Sequence, residues 1–440
     1  MKGFTTHDGR LHADAVDLGA IADAVGTPCY VYSASLMQDA YRAFAGAFAD
    51  VDALVCYSLK ANGNLAVVRT FASLGAGADV VSGGELARAR AAGVDPRRIV
   101  FAGVGKTAQE MEAALDAGIL QFNVESEPEL LLLDRLAHSR GLRAPVALRV
   151  NPDIDAATHD KIATGRKHNK FGIDIDRVGA VFALARSLPG IAATGVAVHI
   201  GSQITELEPF RAAFTRVAEL VRALRAAGHE IRQLDLGGGL GISYRGETPP
   251  PVERYAEIAK TATRDLGCRL VLEPGRHLVG NAGVLLTRVV YVKRGADRTF
   301  VITDAAMNDL VRPAMYDAYH AIEPVVAPAA DAAREPVDIV GPVCETGDMF
   351  ASDRPLPPVA AGDLLAIRSA GAYGAVMAST YNARPTPPEV LVRDHDFAVI
   401  KPRATVEQLF ADERLPNWLD AAPTGAPTGA RSAPPRGNRR

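Results

Sequence analysis

The sequence predicts an α/β protein: a TIM (β/α)8 barrel joined to a second, mostly antiparallel β-barrel or β-sandwich domain. Three observations predict it. At 440 residues the chain is about three times the usual single-domain length, so two domains are the starting expectation. From about Ala53 to Arg276 a short β-rich run, a polar or glycine-containing turn and a helical stretch recur in that order. After Gly280 the rhythm changes to strand-like runs separated by Pro, Gly and Asp, with no long helical period between them. The expected boundaries are 34–278 for the barrel, 1–33 with 279–416 for the β domain, and 417–440 for a disordered tail.

The β-rich runs are ALVCYSLK (53–60), GADVVSG (77–83), RIVFAG (98–103), LQFNVES (120–126), PVALRVNP (145–152), TGVAVHIGS (194–202), QLDLGGG (233–239) and RLVLEPGR (269–276). Each is short and apolar enough to be buried on both faces, as parallel strands are. Between them, Phe214, Val217, Leu220, Val221 and Leu224 fall on one helical face. Thr107 to Glu110 and Ser126 to Glu129 both read as capping boxes. Eight such units in roughly 225 residues is the arithmetic of the barrel, and a doubly wound open sheet is the competing arrangement. In the second domain the strand-like runs are 283–295, 298–307, 336–344, 363–374 and 389–403. TPCYVYS (27–33) could supply a strand to either domain. The last twenty residues carry four arginines, no acid and almost no large apolar side chain, too little to offset the entropy of ordering.

Composition excludes several classes. Basic residues number 48 against 51 acidic, so no overall field draws in nucleic acid. Cys29, Cys56, Cys268 and Cys344 lie far apart without a CxxC pair, which excludes a disulfide framework and a Cys-based zinc site and fits a reducing compartment. The ten histidines include no HExxH, so no metal is expected. MKGFTTHDGR lacks the apolar core of a signal peptide, and no apolar run approaches the ~18 residues of a membrane span. The expectation is a soluble, cytoplasmic protein.

Two nucleotide motifs fail. Gly105-Lys106-Thr107 resembles the end of a P-loop, but the first glycine of that motif would fall on Val100. A dinucleotide turn begun at Gly237 ends on Ile242, and one begun at Gly239 ends on Tyr244. What stands out is the set of polar residues at the strand ends, where barrel chemistry collects. These are Lys60, Asp79, Ser82, Asn123, Asn151, His199, Ser202, Gly237 to Gly239, Glu273 and Arg276. A purely structural barrel needs no such set, although each residue alone has a bland explanation. Barrel phosphate sites form at the loops after strands seven and eight, here the triple glycine and Glu273-Pro274-Gly275-Arg276. Successive glycine amides can form an anion nest. A phosphate site, a carboxylate, a histidine and a lysine on strand one are the parts a pyridoxal phosphate enzyme needs.

At these residues the sequence resembles the barrel-type pyridoxal phosphate decarboxylases related to alanine racemase (PLP fold type III), and within them the diaminopimelate decarboxylase family. The matching motifs are YSLKAN (57–62), DVVSGGEL (79–86), RVNPD (149–153), KFG (170–172), HIGSQ (199–203), LDLGGGLGISY (234–244), EPGR (273–276), RPAMY (312–316), GPVCETGD (341–348) and GAYG (371–374). They run in order from about residue 8 to residue 405.

The resemblance implies pyridoxal 5'-phosphate held as a Schiff base on Lys60, with His199 on the ring face and Glu273 at the pyridine nitrogen. It implies that Ser202, Gly237, Gly238, Gly239, Pro274, Gly275 and Arg276 cradle the phosphate and that Tyr373 reaches the cofactor from the β domain. Arg276, Arg312 and Tyr316 would take a distal substrate carboxylate, Glu345 a distal ammonium, and Tyr373 would also border the substrate. Cys344 is the implied proton donor, and Cys344 and Glu345 would enter from the partner subunit of a homodimer. Forked guanidinium donors suit a carboxylate and a carboxylate suits an ammonium. The family's common Cys-Glu-Ser reads Cys344-Glu345-Thr346 here, which keeps the hydroxyl and adds a methyl.

The implied activity is decarboxylation of meso-2,6-diaminopimelate to L-lysine and CO2, the last step of bacterial lysine synthesis. Decarboxylases of ornithine, lysine or arginine lack a distal carboxylate to meet Arg312 and Tyr316. A racemase wants a second base from the β domain, and CETGD points elsewhere. A non-catalytic homologue is opposed by Lys60, Glu273 and Cys344. An enzyme for a carrier-bound amino acid is the remaining alternative.

Overall fold

The structure, a computed structural model, describes residues 2–154 and 170–420. Eight parallel strands form a closed barrel: Ala53–Ser58, Gly77–Val80, Ile99–Phe101, Gln121–Val124, Ala144–Asn151, Ile191–Val198, Gln233–Asp235 and Arg269–Leu272. Closure comes where Arg269–Leu272 pairs with Ala53–Ser58, so every strand has two neighbours and the open-sheet alternative falls away. All eight are the β-rich runs of the sequence, and nearly every residue in them is buried. A two-residue strand, Ile173–Asp174, adds to Ala144–Asn151 outside the ring.

Helices sheathe the barrel. Glu208–Ala226 buries Phe214, Val217, Val221 and Leu224 of the face marked in sequence, with Leu220 half-buried beside them and Phe210 added to the buried set. Phe210 and Phe214 meet Tyr255 of Val252–Thr263, which in turn meets Phe44 of Ala34–Gly46, an aromatic seam around the outside. Thr107 forms the expected capping box, its side chain and that of Glu110 each bonding the other's backbone. Ser126 caps its helix too, but the box there is incomplete. Glu129 instead accepts from the Glu125 N–H and from Lys106, because a buried ammonium lies within reach.

The β domain centres on the twelve-residue strand Gly283–Arg294. Its first half pairs with Cys29–Ser33 on one side and Leu364–Ile367 on the other, and its second half with Thr299–Thr303. Glu335–Val340 and Met349–Leu356 extend one edge, Glu389–Arg393 and Asp396–Lys401 the other, and Ile322–Pro324 pairs with Leu364–Ile367. Two pairings are parallel, Thr299–Thr303 with Glu335–Val340 and Cys29–Ser33 with Glu389–Arg393; the rest are antiparallel. The strand at 27–33, open to either domain in sequence, therefore belongs to this one. A small sheet (Phe4–His7, Arg10–Ala13, Val16–Asp17) precedes it, and a helical turn, Asn417–Asp420, stands at the start of the expected tail.

The two domains meet at the first barrel loop. Asn62 Nδ2 donates to the Gly371 carbonyl at 3.2 Å, and the Tyr373 N–H donates to the Ala61 carbonyl at 2.8 Å. These bonds lay the GAYG loop against the lysine-bearing turn.

Candidate active site

The first strand ends in a 3-10 turn, Leu59–Ala61, that carries Lys60. Lys60 Nζ donates to Asp79 Oδ2 at 2.7 Å, and Ser58 Oγ donates to the same oxygen at 2.7 Å. Asp79 has no exposed surface, and its Oδ1 has no hydrogen-bond partner. Burial opposes the Lys60 ammonium, but Asp79, Glu273 and Tyr373 outweigh it and hold its pKa above the ordinary lysine value.

Deeper in the barrel lies a buried pair of acids. Asp235 ends the seventh strand and Glu273 follows the eighth. Asn123 Nδ2 donates to Asp235 Oδ2 at 2.8 Å and to Glu273 Oε1 at 3.2 Å. Burial pushes the Asp235 carboxyl up to about 6, against the pull of the Asn123 amide and the Gly237 N–H. Glu273 rises well above the carboxylate range, first by burial and then by the neighbouring charges of Asp235 and Asp79. A carboxyl group held in this way is suited to facing a cationic N–H.

His199 follows the sixth strand. Its Nδ1 accepts the Gly238 N–H at 3.2 Å, so the proton of the neutral ring sits on Nε2. Burial keeps the ring uncharged, and the cations Arg149 and Lys60 act in the same sense. The glycine turn that makes this bond admits no side chain. A Cβ on Gly238 would strike the Glu273 carbonyl, and one on Gly239, at φ +107°, the Gly201 carbonyl.

Two arginines close the outer side. Arg276 donates to Ser202 Oγ at 3.0 Å and to the Tyr244 hydroxyl at 2.7 Å, and its guanidinium lies 4.7 Å from the Tyr373 ring centre. Arg312 lies 4.7 Å from the Tyr244 ring centre, and its Nη1 is 2.9 Å from His320 Nε2. Each is only 6% exposed. Among the described residues neither forms an ion pair with a carboxylate, and Arg276 Nε has no partner at all. Two buried, uncompensated guanidinium groups facing one cavity call for an anion from outside the chain.

That cavity measures about 370 Å³. Lys60, His199, Ser202, Gly239, Glu273, Gly275, Arg276, Arg312, Tyr316 and Tyr373 all line it. A second cavity of about 420 Å³ shares Lys60, His199 and Glu273 and extends toward Asn123, Arg149 and Phe171.

The known proteins most relevant to this geometry are decarboxylases. Residues 34–280 match the family model described as the pyridoxal-binding domain of pyridoxal-dependent decarboxylases. Over 95% of its length the chain is 50% identical to a diaminopimelate decarboxylase of Zymomonas mobilis, covering 100% of that protein. A diaminopimelate decarboxylase of Pseudomonas aeruginosa is 51% identical over 94% of the chain and 99% of its own. The chain belongs to the diaminopimelate decarboxylase family. Among solved structures, the M. jannaschii diaminopimelate decarboxylase in co-complex with L-lysine superposes with a TM-score of 0.91 at 39% identity, covering 95% of this chain and 99% of that one. The Helicobacter pylori diaminopimelate decarboxylase complexed with L-lysine superposes with a TM-score of 0.86 at 41% identity, covering 90% and 98%.

The residues present fit the pyridoxal cofactor that this family's name implies. A lysine, a buried carboxyl group with a raised pKa and a turn built only for glycine converge on one cavity. Of the remaining sequence-derived residues, Gly237 and Gly238 form the wall behind His199, and the Pro274 carbonyl accepts the Ser58 N–H at 3.2 Å. Cys344 and Glu345 are not in the cavity. They lie exposed between Glu335–Val340 and Met349–Leu356, where the Cys344 N–H donates to Asn382 Oδ1 and Tyr381 bonds Glu345.

Sequence reasoning missed Asp235, Tyr244 and His320 as parts of the site. Asp235 carried a signal, an acid between Leu234 and Leu236 at the end of a barrel strand, two residues before the glycines. Tyr244 and His320 sit in irregular loops, and only the folded chain brings them to the arginines.

Proposed function

We propose that the chain decarboxylates meso-2,6-diaminopimelate to L-lysine and CO2, the final step of bacterial lysine synthesis, with pyridoxal 5'-phosphate as cofactor. The observation that carries the substrate is the pair of buried guanidinium groups that have no carboxylate partner among the described residues, in the cavity that also holds Lys60 and Glu273. They provide for an anion remote from the reacting carbon, which diaminopimelate has and ornithine, lysine and arginine lack.

Lys60 Nζ would hold the cofactor's aldehyde carbon and Glu273 its ring nitrogen. Ser202, the glycines 237–239 and the Gly275-Arg276 backbone would take the phosphate. When bound, pyridoxal phosphate supplies the electron sink into which the electron pair passes as CO2 leaves. Glu273, buried with Asp235 behind it, would keep a proton at the ring-nitrogen position. His199 offers an uncharged ring, since protonation there would meet burial first and then Arg149 and Lys60. Arg276, Arg312 and Tyr316 orient the distal carboxylate by forked donors. Tyr373, on the loop bonded to the lysine turn, borders both cofactor and substrate.

Cys344 Sγ would deliver the proton that replaces CO2 on the substrate carbon, and Glu345 would meet the distal ammonium. Both are exposed and away from the cavity of their own chain, which supports a homodimer in which each copy completes the other's site. No helix among the described residues is long and apolar enough to cross a membrane. We infer work in the cytoplasm, where cysteines stay reduced.

The test is CO2 release by the purified protein with pyridoxal phosphate, offering meso-diaminopimelate beside L-ornithine, L-lysine and L-arginine. Release from meso-diaminopimelate alone, with lysine as product, is the expected result. Release only from a substrate with a single carboxylate overturns the distal pocket, and silence with all four overturns the activity.

A further inference from the structure

We infer that His320 is a positioning residue for substrate selection: as a neutral acceptor it pins Arg312 while leaving the guanidinium charge for the ligand. The inference rests on the reading above, in which Arg312 meets the distal carboxylate.

The tautomer follows from the two partners of the ring. His320 Nδ1 lies 2.7 Å from the Arg368 carbonyl oxygen, which has no proton to give, so Nδ1 carries the hydrogen. His320 Nε2 lies 2.9 Å from Arg312 Nη1, which has no lone pair, so Nε2 is the acceptor. Both ring positions are thereby assigned, and the ring is neutral. Its surroundings act in the same sense. It has no exposed surface, and the charged groups that bear on it are the cations Arg312, Arg276 and Arg354, with the Tyr244 ring edge-on at 5.4 Å. Burial, reinforced by Arg312, pushes its pKa down to about 3.

The anchor is the β sheet. Arg368 directly follows strand Leu364–Ile367, and Arg354 of strand Met349–Leu356 donates to the His320 carbonyl at 2.7 Å. Arg312, by contrast, sits on a short helical turn, Arg312–Tyr316, and needs an external tie to hold its fork in one place.

The chemistry of the tie matters. A carboxylate at this position would grip Arg312 but also neutralise it, so an incoming carboxylate would meet a saturated ion pair. An apolar side chain would leave the charge free and the fork unheld. A neutral acceptor uses one of the guanidinium's five N–H groups and spares both the charge and the rest of the fork.

The test uses the pyridoxal-phosphate-loaded protein and two probes, L-lysine and cadaverine, which is lysine without its carboxylate. Binding of each is measured by titration calorimetry for the unaltered protein, His320→Gln, His320→Leu, His320→Glu and Arg312→Gln. Cofactor absorbance and a cooperative thermal transition report folding. We expect H320Q to bind L-lysine within about threefold of the unaltered protein, and H320L and H320E to lose about 10- to 100-fold, the scale of a hydrogen bond to a charged group. Cadaverine affinity stays unchanged throughout. If R312Q loses the preference for L-lysine while H320L and H320E keep it, the role of His320 is overturned and the reading of Arg312 stands. If R312Q keeps the preference, the distal-carboxylate reading itself fails. Equal weakening of both probes in the His320 variants marks a merely structural residue and overturns the proposal. Should H320E not fold, equal L-lysine affinity in H320Q and H320L overturns it.

Discussion

Glu273 and Asp235 share a buried corner in which burial raises both carboxyl groups, and Glu273 cannot ionise there without also facing the charges of Asp235 and Asp79. The consequence for stability has a definite sign. Asp235, raised from 3.8 to about 6, keeps its proton in the folded state at pH values where the unfolded chain has released it. Its contribution is complete below the unfolded value and is lost as pH rises through about 6. Comparing cofactor-free protein with Asp235→Asn should therefore show the stability difference shifting by about 2 kcal/mol between pH 4 and pH 7.5, the unaltered protein losing more. A constant difference, read by thermal or urea unfolding, removes the buried-pair account. Glu273→Gln carries the companion expectation. It relieves the repulsion, so the fold holds or gains, while decarboxylation falls at least about 100-fold because an amide cannot anchor a cationic ring nitrogen. Parallel loss of stability and activity would assign Glu273 to structure alone.

Between elements, the informative contact is Lys106. Its side chain is 1% exposed, and the ammonium donates to the Gly103 carbonyl at 2.8 Å, the Asn123 carbonyl at 2.7 Å and Glu129 Oε1 at 2.7 Å. One side chain thus fastens the loop after the third strand to the end of the fourth and to helix Glu127–Ser139. Removing it strands a buried carboxylate, so Lys106→Met should cost about 3–5 kcal/mol, and adding Glu129→Leu should recover most of that. Urea midpoints of the single and double variants decide the matter; no recovery in the double means that packing, not the orphaned charge, is responsible. In sequence this residue read as the end of a failed P-loop, because nothing local shows that three acceptors converge on it. The barrel strands were legible for the opposite reason: burial on both faces is written directly as short apolar runs. Cys29–Ser33 is just as apolar, with all five residues buried, yet such a run names no neighbour. Only pairing with Gly283–Arg294 and Glu389–Arg393 assigns it to the β domain. Ser126 misled for a related reason, since the spacing to Glu129 was right but a tertiary partner took the carboxylate.

At the scale of the molecule, Lys60, His199, Ser202, Gly239, Glu273 and Arg276 were legible because barrel geometry sends strand ends to one rim. Arg312, Tyr316 and Tyr373 of the β domain were legible only through the family resemblance. The cavity's reinforcements, His320 and Tyr244, were not legible, because loop residues acquire partners only through the tertiary fold. Cys344 and Glu345 pose the remaining geometric problem, since one chain keeps them exposed and outside the cavity. Beside them Tyr381, which bonds Glu345, is 47% exposed, an aromatic side chain suited to burial against a second copy. If two-fold pairing delivers Cys344 to the neighbour's Lys60, each active site draws on both chains. Lys60→Ala and Cys344→Ala homodimers should then each be inactive. Mixed in equal amounts and allowed to exchange subunits, they should recover about a quarter of full activity, because half the dimers are mixed and each mixed dimer holds one intact site. Pyridoxal phosphate absorbance of the Cys344→Ala protein checks that it still loads cofactor. A mixture that exchanges subunits, as read by mass-tagged chains, and yet stays inactive would place both groups in a site made by one chain, which would require the segment around Cys344 to move into the cavity.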